Sequence, residues 1–382
     1  MKTVNEILLD LVAIPSVSPA DNRPVIEYIT SCLDPEHWNV NIHPHRDQAG
    51  TAKTNLVAVT RNASGADVEL AFVCHTDTVP FDPQWDEAVH PAERDGRIYG
   101  RGSCDVKGFL ACILAVLQQV DSASLSKPIA LVFTADEEVG CIGAKRLAAT
   151  HAFTTRYMII GEPTSMQPVR AGKGYSLATI VVKGREGHSA FPSDGHSAIY
   201  DAARVVAALE QIARTVETAR NEDFAPPYTT LNVGLISGGT AKNIVPGECR
   251  ITVEWRPIPG QDPDWVARLI RDALAGLHQA VSGFDSEFTV LRNDPAFAPS
   301  GTAELVTWLS SLTGNPPGTI SFGSEAAHLS PLAGEIVVLG PGSMSVAHQT
   351  GEYVPVQQLL ECVSLIENAI GRYCVLKQRN EL

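Results

Sequence analysis

The sequence has few basic side chains and no apolar stretch of the roughly 18 residues that a membrane-spanning helix needs. Its 29 lysines and arginines are outnumbered by 43 aspartates and glutamates, which gives a formal net charge of −14. Because an acidic chain repels phosphate backbones, we expect no nucleic-acid partner. The lack of a long apolar stretch leads us to expect no membrane either. The length of 382 residues, with 44% hydrophobic residues, predicts a globular protein of two domains.

Disulfide and leader signals are also missing. None of the eight cysteines forms a CxxC motif, and most lie in apolar stretches, as free buried thiols do. Glu6 and Asp10 interrupt the apolar N-terminal segment, which favours an amphipathic first helix ended by Pro15 over a signal peptide. We therefore expect a cytoplasmic protein with reduced thiols. The sequence also has no GxSxG motif and no glycine-rich phosphate loop.

Strand and helix patterns alternate in the first part of the chain. Residues 68–79, 127–138 and 156–163 are predicted strands, and residues 106–120 are a predicted buried helix. This order is typical of an α/β fold with a mostly parallel central sheet. The pattern resumes near the C-terminus with a helix, a strand and a last helix, at 301–314, 335–343 and 354–377.

The middle of the chain has a different pattern, strand-helix-strand-strand-helix-strand, which is typical of a ferredoxin-like α+β domain. Its predicted elements are 176–184, 198–216, 229–239, 249–258, 262–281 and 286–292, with Asp262 as the N-cap of the second helix. We therefore predict a discontinuous catalytic domain, 1–173 and 293–382. The α+β domain, 174–292, is inserted into it.

Candidate metal ligands follow the predicted strands of the first pattern. Reactive side chains in an open α/β sheet lie just beyond the carboxyl ends of the strands. The residues at or after those ends, or just before the predicted buried helix, are His75, Asp77, Asp105, Glu137, Glu138, Glu162 and His348. Each alone has an ordinary explanation as a polar strand end or surface residue. Together, two histidines and several carboxylates suit Zn²⁺, and a shared carboxylate suits two ions.

Six motifs carry a resemblance to a known family. HTDTVP (75–80), GRGSCDVKGFL (100–110), TADEEVGCIGAKR (134–146), GEPT (161–164), GREGHSAFP (184–192) and GGTAKNIVP (238–246) resemble the zinc-dependent amidohydrolase and exopeptidase family, in the family's order and over nearly the whole chain. The resemblance implies a zinc-exopeptidase-like catalytic domain with an inserted lid and dimerisation domain. It also implies a cis peptide bond between Asp105 and Val106.

The resemblance assigns metal and proton-transfer roles to residues of this sequence. His75 and Glu162 bind one divalent metal, Glu138 and His348 bind a second, and Asp105 bridges the two. Zn²⁺ is the expected ion, with Co²⁺ or Mn²⁺ as alternatives that accept the same donors. Glu137 is the expected general base. The Asp77 carboxylate is expected to accept the second imidazole N–H of His75 and so orient the ring.

Substrate contacts are expected from both predicted domains. The resemblance implies that His188 stabilises the tetrahedral oxyanion in the partner subunit of a homodimer, although a lone loop histidine is more often a solvated residue. Arg256 offers a bidentate fork for an α-carboxylate, helped by Asn243, although a surface arginine explains it equally well. Glu325 is the expected acceptor for a substrate ammonium.

The implied reaction is hydrolysis of a small N-acyl amino acid. We expect N²-acetyl-L-ornithine to give L-ornithine and acetate, a step of arginine biosynthesis. Succinyl-diaminopimelate, acetylcitrulline or a general range of acylated amino acids are alternative substrates. An alternative of another class is a metal-binding relative that has lost catalysis, and the presence of Glu137, His188 and the metal set argues against it.

Overall fold

The computed structural model describes residues 1–47, 49–63, 65–120, 124–299 and 303–375. Its strands, numbered along the chain, are Trp38–Arg46 (β1), Ala52–Thr60 (β2), Asp67–His75 (β3), Ala92–Arg94 (β4), Arg97–Tyr99 (β5), Ile129–Thr134 (β6), Thr154–Ile160 (β7), Val169–Gly172 (β8), Tyr175–Lys183 (β9), Gly187–His188 (β10), Thr230–Gly238 (β11), Ile244–Val245 (β12), Glu248–Arg256 (β13), Asp285–Asp294 (β14), Gly318–Ile320 (β15), Ala333–Val338 (β16) and Tyr353–Pro355 (β17). Its helices are Val4–Val12 (α1), Arg23–Ser31 (α2), Lys107–Leu117 (α3), Ile142–Thr150 (α4), Ala198–Val216 (α5), Trp265–Ala280 (α6), Glu304–Thr313 (α7), Ala326–Leu329 (α8) and Val356–Tyr373 (α9).

The chain divides into two compact units. The first comprises Met1–Arg170, Pro299–Gly318 and Ser324–Leu382, and the second comprises Ala171–Ala298 and Thr319–Gly323. The second unit thus extends past the predicted insertion at both ends and includes a short segment within the C-terminal third of the chain. Among the described residues, no helix combines the length and apolar character needed to cross a bilayer.

The predicted α/β fold with a mostly parallel central sheet is confirmed. The eight strands are ordered β1-β2-β6-β3-β7-β16-β8-β15, and the middle four, β6, β3, β7 and β16, run parallel. The β3 segment Leu70–Cys74 is fully buried, as expected for a strand covered on both faces. The antiparallel edge made by β1 and β2 was not predicted, because their sequences mix apolar and polar residues without a clean alternation.

Helices that cover this sheet follow the predicted apolar segments. Every residue of α3 from Lys107 to Val116 is buried, and α3 packs against α1 and α9. The first helix ends at Val12, shortly before Pro15, and buries an apolar face as predicted. Thr3 and Glu6 form a capping box at its start, in which each side chain accepts the backbone N–H of the other.

The second unit contains an antiparallel sheet of four strands in the order β11-β13-β9-β14. Helices α5 and α6 bury their apolar stripes against the alternating inner residues of this sheet, such as Ile180 and Val253. Helix α5 matches its predicted bounds. The N-cap prediction for α6 is wrong: the helix starts at Trp265 with Asp264 as the cap residue. Asp262 instead accepts the Asp264 N–H at 2.9 Å in the preceding turn.

Candidate metal and catalytic centre

The ends of the four parallel strands bring the candidate ligands together. Strand β3 ends on His75, and Glu138 and Glu162 follow the ends of β6 and β7 by only a few residues. His348 lies in the loop after β16. Because neighbouring parallel strands end at the same edge of a sheet, residues remote in sequence meet there.

Asp105 lies at the centre of this cluster, just before α3. Its Oδ1 is 3.2 Å from His75 Nε2, and its Oδ2 is 3.1 Å from His348 Nε2. His348 Nε2 is also 3.2 Å from Glu138 Oε2. Potential ligand atoms thus form two groups, each within 4.8 Å, that share Asp105: His75 with Glu162, and Glu138 with His348. The Asp105–Val106 peptide bond is cis, as the resemblance implies.

The electrostatics of this cluster indicate whether its residues are suited to bind metal ions. Burial raises the pKa of Glu162 well above its usual range, and the charges of Asp105 and Glu137 add to the rise. Desolvation likewise raises the pKa of Glu137 to about 8, against the attraction of His75. Glu138 Oε1 is buried without a hydrogen-bond partner among the described residues. Crowded, partly unsatisfied carboxylates beside two imidazoles fit divalent cations, which would remove the repulsion.

His348 occupies the most open position of the cluster. Its side chain is 47% exposed and its backbone has a positive φ of 61°. Hydrogen bonds to Asp105 and then Glu138 raise the pKa of His348 to about 10. A proton held between two carboxylates takes the place that a cation would take, which again fits a metal site.

Asp77 approaches His75 more closely through its backbone oxygen than through the carboxylate that the sequence predicted. His75 Nδ1 lies 3.0 Å from the backbone oxygen of Asp77 but 3.7 Å from the nearer carboxylate oxygen. The carboxylate instead accepts the backbone N–H groups of Glu137, at 3.1 Å, and Glu138, at 3.2 Å, and the Ser18 hydroxyl at 2.8 Å.

Glu137 and Glu138 lie in a turn beyond the strand in which the sequence predicted them. Adjacent residues of a β-strand point to opposite faces of the sheet. Strand β6 already ends at Thr134, so this rule does not apply to Glu137 and Glu138. Both carboxylates carry oxygens within 4.8 Å of a ring nitrogen of His75. The Cys141 thiol donates to Glu137 Oε1 at 3.3 Å. Both glutamates therefore face the same cluster.

Glu325 lies at the start of α8 and is completely buried. Its carboxylate oxygens have no hydrogen bond of good geometry within the described part of the chain. Burial raises its pKa to about 7, against the charge of His75 and an interaction with the Thr134 hydroxyl, and the charge of Asp77 adds to the rise. A buried acceptor without a firm partner is free to receive a donor from a bound molecule, so the proposed ammonium contact stays a prediction.

The residues of the second unit that were predicted to contact the substrate lie at two separate positions in that unit. His188 on β10 is exposed and pairs with Ile244 of β12, next to Asn243, whose carbonyl accepts the Ser189 N–H at 3.0 Å. The Ala190 N–H donates to His188 Nδ1 at 3.1 Å, which leaves Nε2 as the protonated donor nitrogen. Arg256, at the end of β13, stacks 4.8 Å from the Tyr175 ring centroid.

Sequence reasoning missed a buried ion pair that supports Asp105. Glu352 Oε1 accepts the backbone N–H groups of Cys104, at 3.0 Å, and Asp105, at 3.1 Å. Its Oε2 meets Arg101 Nη1 at 2.5 Å, and both side chains are buried. Both residues border glycines in the sequence, but no spacing signal links residues 251 positions apart.

We expect removal of one member of this pair to destabilise the first unit. Arg101→Met leaves Glu352 buried without its cation, which costs about 3–5 kcal/mol of unfolding free energy. Urea unfolding of the metal-free protein measures the change. Arg214→Met, which breaks an exposed pair with Glu210 at 2.6 Å, is the control and should change the free energy by less than about 1 kcal/mol. Equal effects in the two variants would contradict the expectation.

A mostly parallel α/β sheet with imidazoles and carboxylates gathered at its carboxyl edge defines a metallohydrolase architecture. Residues 71–372 match the family model described as peptidase family M20/M25/M40. The chain therefore belongs to this family of metal-dependent hydrolases.

Individual relatives span nearly the full length of the chain. A protein from Myxococcus xanthus named acetylornithine deacetylase is 44% identical over 368 residues, 96% of each chain. An M20 family metallo-carboxypeptidase from Sulfolobus solfataricus superposes with a TM-score of 0.76 at 18% identity, covering 98% of this chain and 99% of that one. A Bacillus subtilis structure described as a dinuclear metal binding peptidase of the M20 family gives 0.64 at 16% identity, with 97% of both chains covered. These structures show the fold.

Proposed function

We propose that this protein hydrolyses the amide bond of N²-acetyl-L-ornithine to L-ornithine and acetate, a step of arginine biosynthesis. The observation that carries the proposal is the 44% identity, over nearly both full chains, with the Myxococcus xanthus protein of that name. The histidine–carboxylate cluster supports the same chemistry. We also propose a cytoplasmic location, where the free cysteines of the described chain stay reduced.

Two divalent ions, Zn²⁺ or alternatively Co²⁺ or Mn²⁺, would polarise the scissile carbonyl and make water nucleophilic near neutral pH. His75, Glu162, Glu138 and His348 would hold them, with Asp105 shared. Glu137 accepts a proton from the attacking water on its carboxylate and returns it to the leaving amine nitrogen. Asp77 holds Glu137 for this transfer by accepting its backbone N–H.

Substrate recognition is proposed for three further residues. Arg256, with Asn243, binds the α-carboxylate, because a guanidinium presents two parallel donors to a carboxylate. Glu325 accepts the side-chain ammonium, since it offers a buried carboxylate without a firm partner. Arg256→Ala should raise KM for acetyl-ornithine with little change in kcat. Glu325→Gln should remove the preference for cationic over neutral acyl-amino acids; an unchanged preference would exclude that role.

The substrate proposal is tested by amine release from a panel of acylated amino acids. Chelated protein, reloaded with Zn²⁺ or Co²⁺, is assayed on N²-acetyl-ornithine, acetyl-citrulline, succinyl-diaminopimelate and acetyl-methionine. We expect a metal-dependent kcat/KM that is highest for acetyl-ornithine. A higher value for another substrate would keep the mechanism and replace the substrate. No turnover of any substrate would favour a non-catalytic metal-binding relative.

We further propose a homodimer in which His188 donates its Nε2–H to the oxyanion in the partner subunit's site. A complementation experiment tests this arrangement. The variants His188→Ala and Glu137→Ala are each expected to be nearly inactive. After subunit exchange in an equal mixture, half the dimers are mixed and each has one complete site, so roughly a quarter of the wild-type activity should return. No recovery despite proven exchange would place His188 in its own subunit's site or outside catalysis.

A further inference from the structure

Strand β2 sends two buried polar side chains to the segment that carries Glu137 and Glu138. Lys53 and Asn55 are two residues apart and therefore lie on the same face of the strand. Lys53 Nζ is 2.7 Å from Asp136 Oδ1. Asn55 accepts the Ala135 N–H at 2.9 Å and donates to the Gly143 carbonyl at 3.1 Å. The segment 135–143 is thus tied to β2 at both of its ends.

Lys53 also binds a second segment of the chain, residues 18–20, which lies between α1 and α2. Its ammonium donates to the Ala20 carbonyl at 2.8 Å and to the Ser18 carbonyl. The Ser18 hydroxyl donates to Asp77, whose carboxylate accepts the backbone N–H groups of both glutamates. Hydrogen bonds and one ion pair therefore form a closed ring from Lys53 through Ser18 and Asp77 to the turn, and back through Asp136.

The ring is buried, so its charges have little access to solvent. Lys53 and Asp136 each expose about 1% of their side chains. His45 Nε2 is farther from Asp136, at 3.5 Å, than Lys53 is. Removing the ammonium would leave a buried carboxylate with a weaker partner and would take one donor from each of the Ser18 and Ala20 carbonyls. The turn would have to move to recover these interactions.

We propose that Lys53 is a positioning residue for the reaction of this site: it holds the turn that carries Glu137 and Glu138. The expected loss of activity rests on the proposed function, because that function assigns the proton transfer to Glu137. The expected change in the structure of the turn does not depend on the proposed function. A displacement of the general base by about 1 Å is enough to lower kcat by roughly 100-fold.

Two substitutions of Lys53 test the proposal on metal-loaded protein with N²-acetyl-ornithine. Lys53→Met keeps the length and apolar stem but removes the ammonium; we expect kcat to fall about 100-fold while KM changes less than about twofold. Lys53→Arg keeps a cation and several donors, so its kcat should stay within about tenfold of wild type. If Lys53 only stabilised the fold, Lys53→Met would not lower kcat while leaving KM nearly unchanged. Lys53→Arg, which keeps the positive charge, would then not preserve kcat selectively.

Hydrogen exchange gives a readout that is independent of activity. The backbone N–H groups of Glu137 and Glu138 should exchange at least about tenfold faster in Lys53→Met, whereas those of β3 should not change. Lys173→Met is the matched control: its buried ammonium donates to the Pro226 and Tyr228 carbonyls within the second unit, so exchange in 135–143 should not change. Should Lys53→Met fail to fold, Ser18→Ala opens the ring at one hydroxyl and should accelerate the same amides.

Wild-type exchange of segment 135–143 in the folded Lys53 or Ser18 variant would overturn the proposal, whatever the substrate. So would wild-type kcat in Lys53→Met, or faster exchange spread evenly over the first unit. Inactivity of the wild-type protein on every acyl-amino acid would instead overturn the proposed function. Locally faster exchange would then still support the positioning of the turn by Lys53.

Discussion

Glu137→Gln should reduce kcat by about 10³-fold while leaving KM and the bound metal nearly unchanged. Glutamine keeps the volume and one oxygen of glutamate, but its amide does not accept a proton from water. Glu137 must hold the proton between its acceptance from water and its return to the leaving amine, and burial, which raises the pKa of Glu137 to about 8, acts in the direction that favours holding it. Steady-state kinetics with metal analysis of the same samples measures the effect.

Two companion variants separate the general base from its neighbours. Glu138→Gln should lose bound metal as well as activity, because Glu138 is proposed as a ligand. Glu217→Gln, on the exposed end of α5, should leave both unchanged. If Glu137→Gln keeps more than a tenth of the wild-type kcat at full metal content, Glu137 is not the general base.

Chelation of the protein should abolish turnover and lower its melting temperature, and both should return when Zn²⁺ or Co²⁺ is added. Without cations, the carboxylates of Asp105, Glu138 and Glu162 share one buried cluster with Glu137, and their repulsion destabilises the first unit. An ion present at 100 times its dissociation constant stabilises the folded state by about 2.7 kcal/mol. Two ions would then raise the melting temperature by roughly 10 °C or more.

Single-ligand variants show whether two separate ions are involved. Glu162→Gln and His348→Gln should each lower the bound metal from about two ions to about one, since each side chain belongs to one of the two groups that share Asp105. Each should keep a smaller melting shift on metal addition than the wild type shows. An unchanged melting temperature after chelation of the wild-type protein, with activity retained, would exclude a metal centre here.

Much of the architecture was predictable because its signals are local. Apolar runs such as 129–134 and 157–160 predict buried parallel strands, and parallel strands end at one edge. The ligands could therefore be placed at that edge from the sequence alone. The helix predicted over 198–216 has the bounds of α5, whose buried residues lie mostly three or four positions apart, as on one face of a helix.

The sequence by itself thus determined the fold class and which histidines and carboxylates gather at the carboxyl edge of the parallel strands. Only the tertiary structure decided how they are held there. The Asp77 carboxylate turns from the imidazole to two backbone amides, Lys53 pairs with Asp136, and Glu352 supports Asp105 across 247 positions. Such pairings depend on packing between distant segments and on the direction of single side chains. Hydrophobic patterning does not encode either, because it records only which face of an element is buried.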